Sequence, residues 1–184
     1  MSLRIIAGAW RGRTLAAPAG RAVRPTSGRA REALFSMLAS RIGSFEGLRV
    51  IDMFAGSGAL GLEALSRGAA HAAFVERDPA ALATLRANIR ALGAEARAHV
   101  LAQPVETLGR PSSEVDIAFL DPPYGLGLVG VGLARLRAGG WLSPCAWIAV
   151  ETGRSEVVPE LAHATPRTFG KARLWLAQPT LADD

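Results

Sequence analysis

"VIDMFAGSGALGLEAL", residues 50–65, decides the fold. A short apolar run reads as a buried strand. Gly56, Gly58 and Gly61 follow in G-x-G-x-x-G spacing and lead into a helix. Glu76 lies twenty positions past Gly56, at the end of the next strand-like run, where an acid can hold ribose hydroxyls. This pattern specifies a nucleoside-binding α/β unit without saying which nucleoside. Asp52 narrows the choice. It stands four positions before Gly56, beside the place where a dinucleotide puts its pyrophosphate. At about 4 Å and an effective dielectric near 20, an ionised carboxylate repels each phosphate charge by roughly 4 kcal/mol.

A cationic ligand suits that position better. S-adenosylmethionine carries an ammonium and a sulfonium and has no phosphate. Its ammonium suits Asp52, its carboxylate a helix N-terminus and its ribose Glu76. Two plainer roles stay open: Asp52 as a capping carboxylate for the glycine loop, and Glu76 as a solvated strand end. Asp78 fits a helix cap better than a ligand.

Outward from the loop, strands and helices alternate. "LRVIDMF", "AHAAFVE", "ARAHVLA", "VDIAFLD" and "CAWIAVE" read as strands, and the segments between several of them as helices. One helix has Asp78 as N-cap, Pro79 at its first position and Gly93 past its end. Such alternation predicts a parallel sheet covered on both faces, with ligands at the carboxyl ends of its strands. The segment 163–179 reads as two strands around Gly170-Lys171, and residues 3–16 as a small hairpin. A helix over 28–42, capped by Thr26 or Ser27, presents Ala30, Leu34, Met37, Leu38 and Ile42 on one face. Residues 1–25 form a basic arm rather than an independent domain, and 26–184 the main domain.

A second unusual strand end is "VDIAFLDPPYGLG", residues 115–127. Pro122 and Pro123 have no backbone N–H and fixed φ, so no central strand continues through them. A tight turn would need fewer special residues. An exocyclic NH2 on a nucleobase has two N–H donors and a lone pair drawn into its ring. Asp121 supplies one acceptor and the rigid Pro122 carbonyl another. Together they select an amino group, which a ring nitrogen or keto oxygen cannot imitate, and orient its lone pair at a methyl sulfonium. Tyr124 offers a ring to a base drawn out of its stack.

Composition excludes several classes. With 49% hydrophobic and 20% charged residues the chain is that of a soluble globular protein, and no apolar run of membrane-spanning length occurs. The N-terminus lacks a secretory pattern, so the cytoplasm is the expected compartment. Cys145, the single cysteine, lies in an apolar stretch and is expected in the core. The three histidines share no ligand spacing, and no metal is expected. Net charge is +5, unevenly placed: residues 1–31 hold seven arginines and no acid, which leaves 14 basic residues against 16 acids elsewhere. A basic segment on a slightly acidic body fits a polyanionic partner.

Four segments taken together, "RIIAGAWRGRTL", "RPTSGRAREALFSML", "DMFAGSGALGLEALSRGA" and "FLDPPYG", resemble the bacterial 16S ribosomal RNA guanine-N2 methyltransferases of the D type. The resemblance runs from about Leu3 to Gln178. It implies a Rossmann-like class I methyltransferase with a seven-stranded, mostly parallel sheet ending in an antiparallel hairpin. It also implies S-adenosylmethionine as donor and a guanine of the small ribosomal subunit as target, with adenine N6 as the alternative. Asp52, Gly56, Gly58 and Glu76 match the cofactor motifs, with Phe54 in the same loop. Asp121, Pro122 and Tyr124 match the catalytic loop. Arg11, Arg13, Arg24, Arg29 and Arg31 match basic positions expected near RNA or the cofactor cleft. Where relatives place an acid or amide against the adenine, this chain has Pro104, and Gln103 can substitute. A monomer is expected. Rival classes are a nicotinamide oxidoreductase, which conflicts with Asp52, and a non-catalytic RNA-binding module.

Overall fold

The computed structural model describes residues 3–17, 28–161 and 163–179. Its centre is a seven-stranded sheet in the order β5-β4-β3-β6-β7-β9-β8. The strands are β3 (Arg49–Asp52), β4 (His71–Glu76), β5 (Ala98–Ala102), β6 (Val115–Leu120), β7 (Leu142–Gly153), β8 (Arg167–Phe169) and β9 (Ala172–Ala177). β3 through β7 pair in parallel, and β9 pairs antiparallel with both β7 and β8. A separate hairpin joins β1 (Leu3–Arg4) to β2 (Thr14–Leu15). The helices are α1 (Gly28–Ile42), α2 (Ala59–Ser66), α3 (Pro79–Leu92) and α4 (Leu128–Gly139).

Both faces of the sheet are buried, and the alternation along each strand assigns residues to them. From β6, Ile117 and Phe119 enter one core with Leu34, Phe35 and Leu38 of α1 and Leu62 of α2. Ala118 and Leu120 enter the other, with Leu133 and Leu136 of α4. The chain winds from β3 outward to β5 and then crosses to β6 on the other side of β3. The reversal leaves a switch point between β3 and β6, where parallel sheets open a crevice.

Local signals hold at several places. Asp78 caps α3, its Oδ1 accepting the Ala81 N–H at 2.9 Å, with Pro79 at the first position and Gly93 at φ 64° beyond the end. The expected cap at Thr26 or Ser27, Arg24 and the arm boundary at 25–26 lie outside the described residues. The buried face of α1 is rotated from the expected one. Arg31 and Phe35 are buried, whereas Met37 and Ile42 are only partly covered. Phe35 stacks at 5.5 Å from both Phe45 and Phe119, which turns the helix toward it.

Cys145 is a correction. It is exposed, not part of the core. β7 is longer than the sequence pattern indicates, and its pairing with β6 jumps from Val115↔Leu142 to Ile117↔Trp147. The surplus residues of β7 bulge out of register and carry the thiol to the surface.

The hairpin is clamped to the main body. The buried Glu63 of α2 accepts the N–H groups of Ile6 at 2.7 Å and Ala7 at 3.0 Å. Asn88 of α3 accepts from Ala16 N at 2.8 Å and donates to Ala16 O at 3.0 Å. Gly8 makes the closest approach, since a Cβ there would lie 1.8 Å from the Ser66 carbonyl oxygen. Among the described residues no helix is long and apolar enough to cross a membrane.

Candidate active site

Four acids stand at the carboxyl ends of four neighbouring strands: Glu76 on β4, Asp52 on β3, Asp121 just past β6 and Glu151 near the end of β7. Asp52 pairs in register with Phe119, so Asp121 lies two residues beyond it on the adjacent strand. The glycine loop and the proline loop therefore flank the switch point, as their strand positions require.

The glycine loop is held by side chains of the protein itself. Asp52 is 1% exposed, and its Oδ2 accepts the Gly61 N–H of α2 at 3.1 Å. The loop-capping role is thus real for this carboxylate. Burial pushes its pKa up to about 7, against the pull of the Gly61 and Phe54 N–H groups and with a smaller push from Glu76. The group is therefore not the fully ionised repeller of phosphate that the sequence implies. Glu76 accepts from Gly56 N at 2.9 Å and, through its other oxygen, from Arg77 N and Asp78 N at 2.8 Å. Gly58 sits at φ 82°, and a Cβ on it would lie 2.4 Å from Leu85 Cδ1. Gly56 is the opposite case. A Cβ there would meet nothing nearer than the Phe54 carbonyl at 4.0 Å, so the loop is open to a ligand at that point.

Phe54 packs on the α4 side, against the second core. Gln103 directly follows Ala102, the register partner of Glu76, and its amide donates to Thr107 O at 3.4 Å. In the proline loop Pro122 is buried, Asp121 is half-buried and Tyr124 is 36% exposed. The Tyr124 hydroxyl donates to Glu151 Oε1 at 2.5 Å. Glu151 itself is 6% exposed. Sequence reasoning gave Glu151 no role, although it ends a strand as the other three acids do.

The arginines divide. Arg11 and Arg29 are exposed, and Arg13 is exposed with Nη2 donating to Ala91 O at 2.6 Å. Arg31 is a correction: it is 2% exposed and donates to the Arg4 carbonyl. Burial lowers its pKa, with Glu63 opposing the effect. Such a guanidinium joins α1 to the hairpin and has no face for a phosphate. Trp10 packs under Arg97, whose guanidinium lies 5.0 Å from the ring centre. Among the described residues no group of three or more His, Cys, Asp or Glu is placed to hold a metal ion.

Residues 3–178 match the family model described as conserved hypothetical protein 95. The chain is 43% identical over 150 residues to the ribosomal RNA small subunit methyltransferase D of Escherichia coli K12, covering 82% of this chain and 74% of that one. It belongs to that family. The Haemophilus influenzae member of the same name is 39% identical over 164 residues, covering 86% of this chain and 83% of its own. The solved structure of the Escherichia coli protein yhhF superposes at a TM-score of 0.79 with 37% identity, covering 96% and 97% of the two chains. The architecture is that of a class I methyltransferase, and the family's chemistry is enzymatic.

Proposed function

We propose that the chain transfers a methyl group from S-adenosylmethionine to the exocyclic N2 amine of a guanine in small-subunit ribosomal RNA, acting in the cytoplasm on the assembled or nearly assembled subunit. The observation that carries this reading is the placement of Asp121 and Pro122 across the switch point from an open glycine loop, in a member of this family. The cofactor fits the residues present. Gly56 leaves open space beside the loop, Glu76 at the end of β4 is assigned the ribose, and Asp52, buried against Gly61, is assigned the ammonium from its sequence position. Gln103, one residue past the partner of Glu76, is the side chain proposed for the adenine. When bound, the cofactor supplies an electrophilic methyl group on a sulfonium.

The protein supplies position. The Asp121 carboxylate and the Pro122 carbonyl each accept one N–H of the target amine, which fixes the nitrogen and directs its lone pair. Asp121 also holds the proton that the amine sheds on methylation. Tyr124 stacks on the base, and its bond to Glu151 stops the ring from turning. Arg11, Arg13 and Arg29 attract RNA through its phosphates without reading sequence. Arg24 is assigned with them from its sequence position.

The test is transfer of labelled methyl groups to small subunits lacking the modification, followed by nucleoside mass spectrometry. N2-methylguanosine is the expected product. N6-methyladenosine, or no incorporation, would overturn the assignment.

A further inference from the structure

We propose that the cleft between the proline loop and the end of β7 is a second contact site for the RNA strand, in which Arg154 and Lys171 bind the phosphate of a nucleotide flanking the target. The proposal deepens the function above and rests on it, because the flanking nucleotide matters only if a base is presented at Asp121.

The cleft has a volume of about 540 Å³. Tyr124 and Gly125 form one wall, and Gly153, Arg154, Glu156 and Lys171 the other. Tyr124 thus faces it while belonging to the catalytic loop. Gly153 lies flat beneath the tyrosine, where a Cβ would come within 3.3 Å of the ring. Arg154 is the next residue and lines the same cleft as the ring proposed to carry the base.

The two cations are held side by side. Arg154 N donates to Lys171 O at 3.0 Å, extending the antiparallel pairing beyond Gly153↔Ala172. Both residues are exposed, and neither forms an ion pair among the described residues. Glu156 is the acid of the cleft, and it is directed at backbone. Its Oε2 accepts from Gly125 N at 3.4 Å and Gly153 N at 3.3 Å, tying the proline loop to the strand end. The lining is therefore cationic by one charge, and the carboxylate is turned to amides.

A base drawn out of its stack bends its strand, which brings the adjoining phosphates near the loop that receives the base. The hairpin arginines Arg11 and Arg13 are placed elsewhere. The hairpin packs on α2 and α3, over the β3–β5 side of the sheet, whereas Arg154 and Lys171 lie beyond β6 on the β7–β9 side. Cations at both sides would hold the strand across the site. A compact ammonium suits a single phosphate oxygen, and Lys171 is the one lysine among 21 basic residues.

That single lysine permits a direct footprint. Acetylation of Lys171 by an amine-reactive ester, read by mass spectrometry, should slow several-fold on saturation with unmodified small subunits and stay constant with S-adenosylmethionine alone. In the double variant Arg154→Ala, Lys171→Ala, KM for subunits should rise about tenfold, and the salt dependence should weaken by roughly 0.7 in log–log slope per lost contact. Thermal unfolding of the variant serves as the folding control. Unchanged lysine reactivity, or an unchanged KM and slope in a folded variant, would overturn the subsite while leaving the catalytic reading intact. Failure of the wild-type chain to methylate subunits would overturn both.

Discussion

The glycine loop and the proline loop end neighbouring strands at one edge of the sheet, yet they are held by different means. Asp52 and Glu76 bond the glycine loop or the helix after it, and Asn88 donates to Ser57 O at 2.9 Å. Its interior is filled up to Gly58. The proline loop owes its shape to two fixed φ angles and is fastened by Tyr124 to Glu151 and by the longer contacts of Glu156. Its tip stands out, with Leu126 63% exposed. One side of the site is shaped before any small ligand arrives. The other, in the reading proposed above, sets its acceptors behind an exposed tip, which suits a large partner.

Substitutions can break this contrast, and the largest effect is expected at Gly58. Gly58→Val combines a left-handed φ with a collision against Leu85, so stability should fall by about 2–4 kcal/mol and cofactor affinity should disappear. Urea unfolding and calorimetry would measure both. Wild-type binding in this variant would mean that the loop is not preset.

Asp52→Asn sharpens the contrast through pH. With a folded pKa near 7 against an ordinary 3.8, the native state keeps a proton that the unfolded chain releases. Stability from this group is greatest below about pH 4 and falls as pH rises toward 7, by at most about 1.4 kcal/mol per unit. Asparagine still accepts the Gly61 N–H and removes that slope. The difference in stability between variant and wild type should therefore change across this window and level off above it. A constant difference would contradict the buried-acid account. Wild-type cofactor binding near pH 7 should also release protons, seen as a buffer-dependent heat.

The smallest effect is expected at Tyr124→Phe, which keeps the ring and removes the bond to Glu151. Stability should drop by about 1–2 kcal/mol, with cofactor affinity unchanged and KM for subunits raised. A loss of cofactor affinity would mean that the two loops are not separable.

Much of this was legible in the chain. The apolar strand runs, the Asp78–Pro79–Gly93 signals and the spacing of Gly56 and Gly58 are local, and each appears where its residues place it. Glu63, Asn88 and Glu151 were not legible. Their distant partners are 56 to 57, 31 and 72, and 27 residues away respectively, and no periodicity reports a side-chain bond at such separations. Asn88 did leave a trace, as a polar residue on the stripe of Ala81, Leu85 and Leu92. Arg31 matches a basic position expected near RNA or the cofactor cleft, but a match of residue type carries no burial, and Phe35 turns that face of α1 inward. The apolar stretch around Cys145 points to the core, but a bulge in β7 carries the thiol to the surface.

The most direct measurement is single-turnover methyl transfer by Asp121→Ala with cofactor and subunits both saturating. If the residue 121 oxygens present the amine, the rate should fall by about 10²–10⁴ while cofactor affinity, measured by calorimetry, stays at the wild-type value. A variant that transfers at the wild-type rate would contradict that role.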